Sequence, residues 1–248
     1  MLERNQIYLG DCYELIKQIP DKSIDLIVID PPYQIDGKPR SKEALNKVEN
    51  KITKSIYQLN NELMDNNITQ GIKEEIFDEF MRIMKVPNIY IWCNKKQIPM
   101  YLNYFVNTHN LNFEVLVWNK QNVMPLYNRQ YLNDVEYCLY FRGSGVCNPN
   151  NYEDARTVFR NKVNKVDKFA FHHPTCKPVT IIETLIKNSS KENDLVLDCF
   201  LGSGTTAVAC KNLKRDYIGI EINPKWYKVA KNRLDGCDAN GQQSFILR

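Results

Sequence analysis

Asp30-Pro31-Pro32-Tyr33 stands directly after the apolar run Ile24-Asp25-Leu26-Ile27-Val28-Ile29. That run has the β-branched composition of a strand buried on both faces. The tetrapeptide therefore falls at a strand's carboxyl end, where open α/β sheets place their ligands. Two consecutive prolines hold the backbone extended and remove two N–H donors, which leaves main-chain carbonyls outward as unopposed acceptors. Asp30 adds a carboxylate and Tyr33 an aromatic ring. A planar group with an exocyclic amine fits such a corner, its N–H bonds on the acceptors and its ring on Tyr33. Adenine and cytosine are such groups.

A second cluster, Asp198-Cys199-Phe200-Leu201-Gly202-Ser203-Gly204-Thr205-Thr206-Ala207, follows one apolar run and opens a helical one. Gly202-x-Gly204-x-x-Ala207 matches the dinucleotide fingerprint with Ala in third place. Its first Gly permits the tight turn and its second lets a ligand approach the backbone. Glu221 ends the next strand, at the place of the acid that accepts from ribose hydroxyls. A nicotinamide dinucleotide and S-adenosylmethionine both satisfy this pattern. Two features favour the second. Asp198 opens the loop, which suits a cation better than a diphosphate, and no His or Lys beside these two motifs offers the acid of a hydride transfer.

The elements that position these clusters alternate. Strands are expected at 7–9, 24–29, 88–92, 113–118, 135–141, 195–198 and 217–220, and helices at 12–19, 73–84, 97–107, 179–187, 205–213 and 224–234. Strands alternating with helices predict an α/β domain with a mostly parallel sheet covered on both faces. Between residues 34 and 67 the apolar periodicity fades, which predicts a long mobile loop after the first cluster. Residues 142–171 are polar and weakly patterned.

At 248 residues the chain suits one well-buried domain, 1–248. Its 33 basic and 29 acidic residues give a net charge of +4, compatible with a polyanionic partner. No stretch approaches a membrane span and Met1-Leu2-Glu3-Arg4-Asn5 lacks an apolar signal core, so a soluble cytoplasmic protein is expected. The eight cysteines are scattered without a C-x-x-C pair, and the three histidines stand away from any pair at ligand spacing. Buried free thiols and no metal are the expectation.

These clusters together resemble the amino-methylating DNA methyltransferases. The order, Asp30-Pro31-Pro32-Tyr33 first and the Phe200-to-Thr206 loop near the C-terminus, is similar to their permuted β class. His173-Pro174-Thr175-Cys176-Lys177-Pro178 resembles that class's His-Pro-Thr-x-Lys-Pro motif. Gly10-Asp11, Trp118-Asn119-Lys120, Glu136-Tyr137-Cys138-Leu139-Tyr140-Phe141 and Ile220-Glu221 match further family motifs. The match runs over residues 9–234, with Cys199 where the family usually has Pro.

The resemblance implies a Rossmann-like methyltransferase fold with a seven-stranded mixed sheet and circularly permuted motif order. It implies S-adenosylmethionine as cofactor, with Asp11 at its adenine end and Glu221 at its ribose. Asp198, Gly202 and Gly204 would line the methionine portion, Thr175 and Lys177 would lie near its carboxylate, and Phe200, Ser203 and Thr205 would also bind the cofactor. Asp30, Pro31, Pro32 and Tyr33 would be catalytic, acting on the N6 amine of a flipped adenine. Asp in first place favours adenine over the N4 of cytosine. With a carboxylate pKa near about 3.9, Asp30 is expected to accept an N–H rather than abstract a proton from the neutral amine. DNA contacts are expected from Lys38, Arg40 and Lys42 in the 34–67 loop. Arg156, Arg160 and Lys162 are the candidates in a target-recognition insertion at 142–171. A homodimer and a cognate restriction endonuclease are the further partners the resemblance implies.

Overall fold

The computed structural model describes residues 1–34, 41–48, 54, 57–58, 61, 71–123, 131–162, 165–171 and 176–243. Eight strands form one sheet in the order β1-β8-β7-β2-β3-β5-β4-β6. They are β1 Gln6–Leu9, β2 Leu26–Ile29, β3 Asn88–Cys93, β4 Asn112–Lys120, β5 Val135–Arg142, β6 Val158–Asn161, β7 Leu195–Asp198 and β8 Asp216–Glu221. Only β5 runs against the others, pairing antiparallel with both β3 and β4.

The count exceeds the seven strands expected. The extra strand is β6, which lies within the weakly patterned 142–171 segment and pairs parallel with β4 from Val117↔Val158 to Lys120↔Asn161. Its four residues, Val-Phe-Arg-Asn, lie at the sheet's outer edge and are exposed or half-buried. Such a strand carries little hydrophobic pattern, and main-chain pairing defines it instead.

Central strands bury both faces because successive side chains point to opposite sides. Ile27, Ile29, Ile89 and Ile91 pack with Phe77 and Phe80 of a helix at Glu75–Ile83. Leu26, Val28, Tyr90 and Trp92 face the other layer, against Ile181, Ile182 and Leu185 of the helix Val179–Ser189. The 97–107 helix departs from expectation: an α-turn at Ile98–Tyr101 continues as a π-helix over Leu102–Thr108. No described helix is long and apolar enough to cross a membrane.

The amino end of the sheet is pinned by buried polar groups. Asn88 Nδ2 donates to the carbonyls of Asp25 (3.2 Å) and Ser189 (2.9 Å), while its Oδ1 accepts from the Tyr140 hydroxyl at 2.9 Å. Asp25 Oδ2 accepts the Leu195 N–H at 2.9 Å, fixing the start of β7 beside β2. Truncating Asn88 to Ala leaves these buried groups without a partner, a loss expected to cost about 2–4 kcal/mol. Urea unfolding measures it; a midpoint equal to that of the parent chain would show that the pin contributes nothing.

Candidate active site

The chain steps outward from β2 to β3 on one side and from β7 to β8 on the other, while β2 and β7 pair directly through Leu26↔Val196 and Ile27↔Leu197. Their shared carboxyl ends form the switch point of the sheet, where a crevice must open. A cavity of about 460 Å³ lies there. Asp11, Asp30, Pro31, Pro32, Tyr33, Lys177, Asp198, Phe200, Gly202, Ser203, Thr205 and Glu221 all line it. Two clusters remote in sequence thus face one space.

At the first cluster, Lys177 Nζ lies 2.5 Å from Asp30 Oδ2, 3.1 Å from Glu136 Oε2 and 3.3 Å from the Tyr33 hydroxyl. Tyr33 donates to Glu136 Oε2 at 3.2 Å, and Lys120 Nζ donates to Glu136 Oε1 at 3.0 Å. Burial raises the Asp30 carboxyl, with the Lys177 charge pulling it back. Burial would raise Glu136 too, but Lys177 and Lys120 together hold it near about 2. The Pro32 carbonyl accepts from Gln97 Nε2 at 3.1 Å.

The second cluster is a loop folded around carboxylates. Glu221 Oε2 accepts the Gly202 N–H and its Oε1 the Asn223 N–H, both at 2.7 Å. Asp198 Oδ1 accepts the Phe200 N–H at 3.0 Å. Desolvation raises the Asp198 carboxyl to about 7, against hydrogen bonds from Thr206 and the Phe200 N–H, and it also raises Glu221. Asp11 caps the helix Cys12–Leu15 by accepting the Tyr13 N–H at 2.9 Å.

Lys177 and Gly204 are placed differently from expectation. Lys177 sits on the Asp30 carboxylate instead of standing free for a ligand carboxylate, because Asp30 and Glu136 outcompete any more distant partner. Gly204 is not among the cavity's lining residues. Its φ is +84°, and a Cβ there would stand 3.0 Å from the Ala230 Cβ, so it serves the turn and the approach of the helix Pro224–Leu234. Thr175, Lys38 and Arg40 fall outside the described residues, as do the Lys42 side chain and most of the 34–67 segment. Arg156 pairs with Glu153 at 3.0 Å, while Arg160 and Lys162 are exposed at the end of β6.

Sequence reasoning missed Arg233. Buried beneath the loop, it donates to Thr205 Oγ1 at 2.9 Å and to the Ser203 carbonyl at 3.3 Å, and pairs with Asp167 Oδ2 at 2.8 Å. A signal existed: Trp226, Val229 and Ala230 mark a buried helix face, and Arg233 continues their spacing. Among the described residues no group of three or more His, Cys, Asp or Glu could hold a metal ion.

The loop discriminates between its two candidate ligands. A diphosphate needs free N–H donors, yet the Gly202 N–H is committed to Glu221 and the Gly204 N–H to the Leu201 carbonyl. Carboxylates at Asp11, Asp198 and Glu221 suit a cationic ligand bearing hydroxyls. The donor set fits S-adenosylmethionine.

Comparison with known proteins agrees with that geometry. A family model described as DNA methylase, covering N6 and N4 enzymes, matches residues 24–232. The chain belongs to the N6/N4 DNA methylase family. It is 32% identical to the type II methyltransferase M.HinfI of Haemophilus influenzae, over 98% of this chain and 72% of that protein. It is 26% identical to M1.MboII of Moraxella bovis, over 97% of this chain and 100% of that one. A solved M1.HpyAVI–SAM complex superposes with TM-score 0.64 at 27% identity, covering 92% of this chain and 98% of the other. The cytosine-N4-specific PvuII methyltransferase shares the fold at TM-score 0.64 and 15% identity, over 93% of this chain and 86% of its own. The methylase is thus a Rossmann-like, S-adenosylmethionine-dependent enzyme of DNA.

Asp198 supplies a test of the cofactor end. A carboxyl near about 7 is partly protonated at neutral pH, and a cationic ligand favours its ionised form. S-adenosylmethionine affinity is therefore expected to rise with pH through this range, with proton release on binding. Calorimetry in two buffers of different ionisation enthalpy reads both. Affinity that stays flat between about pH 6 and 8 in the parent chain would contradict the assignment. Asp198→Asn should abolish the pH dependence.

Proposed function

We propose that this methylase transfers a methyl group to the exocyclic N6 of an adenine flipped out of DNA. The observation that supports it most is the Asp30 carboxylate, set between Tyr33 and Lys177 in the same cavity as the Asp198–Glu221 loop. S-adenosylmethionine, when bound, supplies an electrophilic methyl on a sulfonium. Asp30 accepts one N–H of the amine, and the Pro31 carbonyl accepts the other. Together they turn the nitrogen lone pair away from conjugation with the ring, which is positional and electrostatic catalysis. Tyr33 gives the flipped base a stacking face. Asp11 and Glu221 take the cofactor's adenosine. Asp198, Phe200, Gly202, Ser203 and Thr205 surround its amino-acid part.

Cytosine N4 is the second reading, since its amine meets the same acceptors and PvuII shares the fold. Asp30 in first position favours adenine. Nucleoside digestion and mass spectrometry of DNA methylated by the enzyme decide between them; N4-methylcytosine as sole product would overturn the adenine reading. Asp30→Ala should keep cofactor affinity and lose about 2–4 kcal/mol of transition-state stabilisation, read as turnover. A variant with parental turnover would remove Asp30 from the mechanism.

DNA contact is assigned to Arg160 and Lys162. Because β6, β4, β3 and β2 all run the same way, the end of β6 lies on the same sheet edge as Asp30. Arg156 spends its charge on Glu153, so it contributes less. Lys38, Arg40 and Lys42 remain the second set. We extend the reading to a cognate restriction endonuclease, in keeping with the type II methyltransferases among the relatives. A homodimer would cover Phe113 and Val115, exposed on β4 beyond the reach of β6. Replacing Arg160 and Lys162 by Ala should weaken DNA binding and flatten the slope of log affinity against log salt by about two units, one per lost phosphate contact. An unchanged slope would place the duplex elsewhere.

A further inference from the structure

Lys177 holds one oxygen of the carboxylate that a substrate amine needs. Its Nζ lies 2.5 Å from Asp30 Oδ2, and its side chain is only 5% exposed. An amine that gains a methyl group also gains a positive charge before it loses its proton. An ammonium held against the same carboxylate would repel that charge in a partly desolvated site. Lys177 therefore has to leave Asp30 for the reaction to proceed, and it needs a partner to leave to, because an unpaired buried ammonium is costly.

We infer that Glu136 is a positioning residue, the carboxylate onto which Lys177 withdraws when the amine enters. This inference rests on the methyl-transfer reading. Glu136 Oε2 already stands 3.1 Å from Lys177 Nζ, so the exchange needs a small rotation of one side chain. Lys120 anchors the other oxygen at 3.0 Å, and the Tyr33 hydroxyl donates to Oε2. Both contacts keep Glu136 in place while Lys177 moves. The exchange leaves Asp30 beside the amine without its counter-ion. After methyl transfer the N–H bond breaks with its electron pair retained on nitrogen, and the proton passes to Asp30 Oδ2 and on to water.

Among the described residues the charged and titratable groups facing Asp30 are Lys177, Tyr33 on its own loop, Glu136 and Cys138 on β5, Asp198 on β7, Cys93 on β3 and Tyr101 in the helix after it. Of these, Glu136 raises the Asp30 carboxyl and Lys177 lowers it. Glu136→Gln keeps an acceptor for Tyr33 but removes the charge, and so leaves Lys177 wholly to Asp30. Two effects of opposite sense follow. Turnover falls because the acceptor stays blocked, and the acid limb of the pH profile moves to lower pH because Asp30 ionises more readily. A merely structural role would not produce that combination.

The test compares turnover on DNA at saturating S-adenosylmethionine in the parent chain, Glu136→Gln, Glu136→Asp, Lys177→Met and the Gln/Met double variant, with cofactor affinity by calorimetry. Glu136→Gln is expected to lower turnover about tenfold or more, with cofactor affinity held within about threefold. In the Lys177→Met background, where no ammonium remains to withdraw, the same substitution should change turnover by less than about threefold. Glu136→Asp, which keeps the charge one methylene back, should lose less than the Gln variant. Equal losses in the two backgrounds, no loss at all, or equal losses for Asp and Gln would overturn the inference alone. A parent chain that places no methyl group on DNA would overturn the methyl-transfer reading and this inference with it.

Discussion

Direct pairing of β2 with β7 brings Asp30 and Asp198 to one edge of the sheet although most of the chain separates them. Each of these strands is only four residues long. A slip of one residue would turn every side chain to the opposite face and carry both clusters out of the cavity. Apolar burial alone fixes such short strands weakly along their own direction, since Leu, Ile and Val side chains tolerate exchange for one another. Polar groups set the register instead. Asp25, immediately before β2, accepts the Leu195 N–H at the start of β7, and Asn88 ties Asp25 to Ser189. These directional bonds lie at the amino end, so the carboxyl end is free to open without loss of alignment.

The cavity that opens there carries two different electrostatic regimes. At the cofactor loop, Asp198 and Glu221 are buried with N–H and hydroxyl donors, among the described residues no cation pairs with either, and burial raises both carboxyls. At the corner beside Asp30, Lys177 and Lys120 hold Glu136 down at about 2, while burial raises Asp30 against the pull of Lys177 alone. The difference follows the charge each half must accommodate. Carboxylates held in this way suit a sulfonium, the Arg233 guanidinium beneath the loop being paired with Asp167. At the other corner the two lysines keep Glu136 ionised beforehand. Buried ion pairs seldom add net stability, so the Asp30–Lys177–Glu136 cluster is better explained by chemistry than by folding.

Asp30, Tyr33, Asp198, Gly202 and Glu221 were legible in the sequence because each sits where a strand ends and a turn begins, and residue type there reports a local constraint. The helix around Phe77 and Phe80 was legible for the same kind of reason: its apolar spacing is periodic. What escaped depends on packing between remote segments. Arg233 looks like one more basic residue in a basic helix until the loop at Ser203 and the helix at Lys165–Phe171 close over it. β6 escaped because main-chain pairing defines it. The position of Lys177 escaped because its motif says that a lysine is needed without saying that Asp30 and Glu136 will hold it.

Glu136 shows why reading strand ends is incomplete. In a parallel sheet, groups that reach the ligand edge come from the last residues of strands, and a search for site residues naturally looks there. β5 is reversed, so its first residues lie at the carboxyl edge, with Glu136 opposite Trp118 near the end of β4 and Tyr137 opposite Cys93 at the end of β3. A carboxylate that opens a strand is thereby delivered beside one that closes another. Had β5 run with its neighbours, its opening residue would lie at the pinned amino end, out of reach of Lys177. The single reversed strand thus supplies a second acid to the amine corner without lengthening any loop, and it holds that acid on the rigid part of the fold.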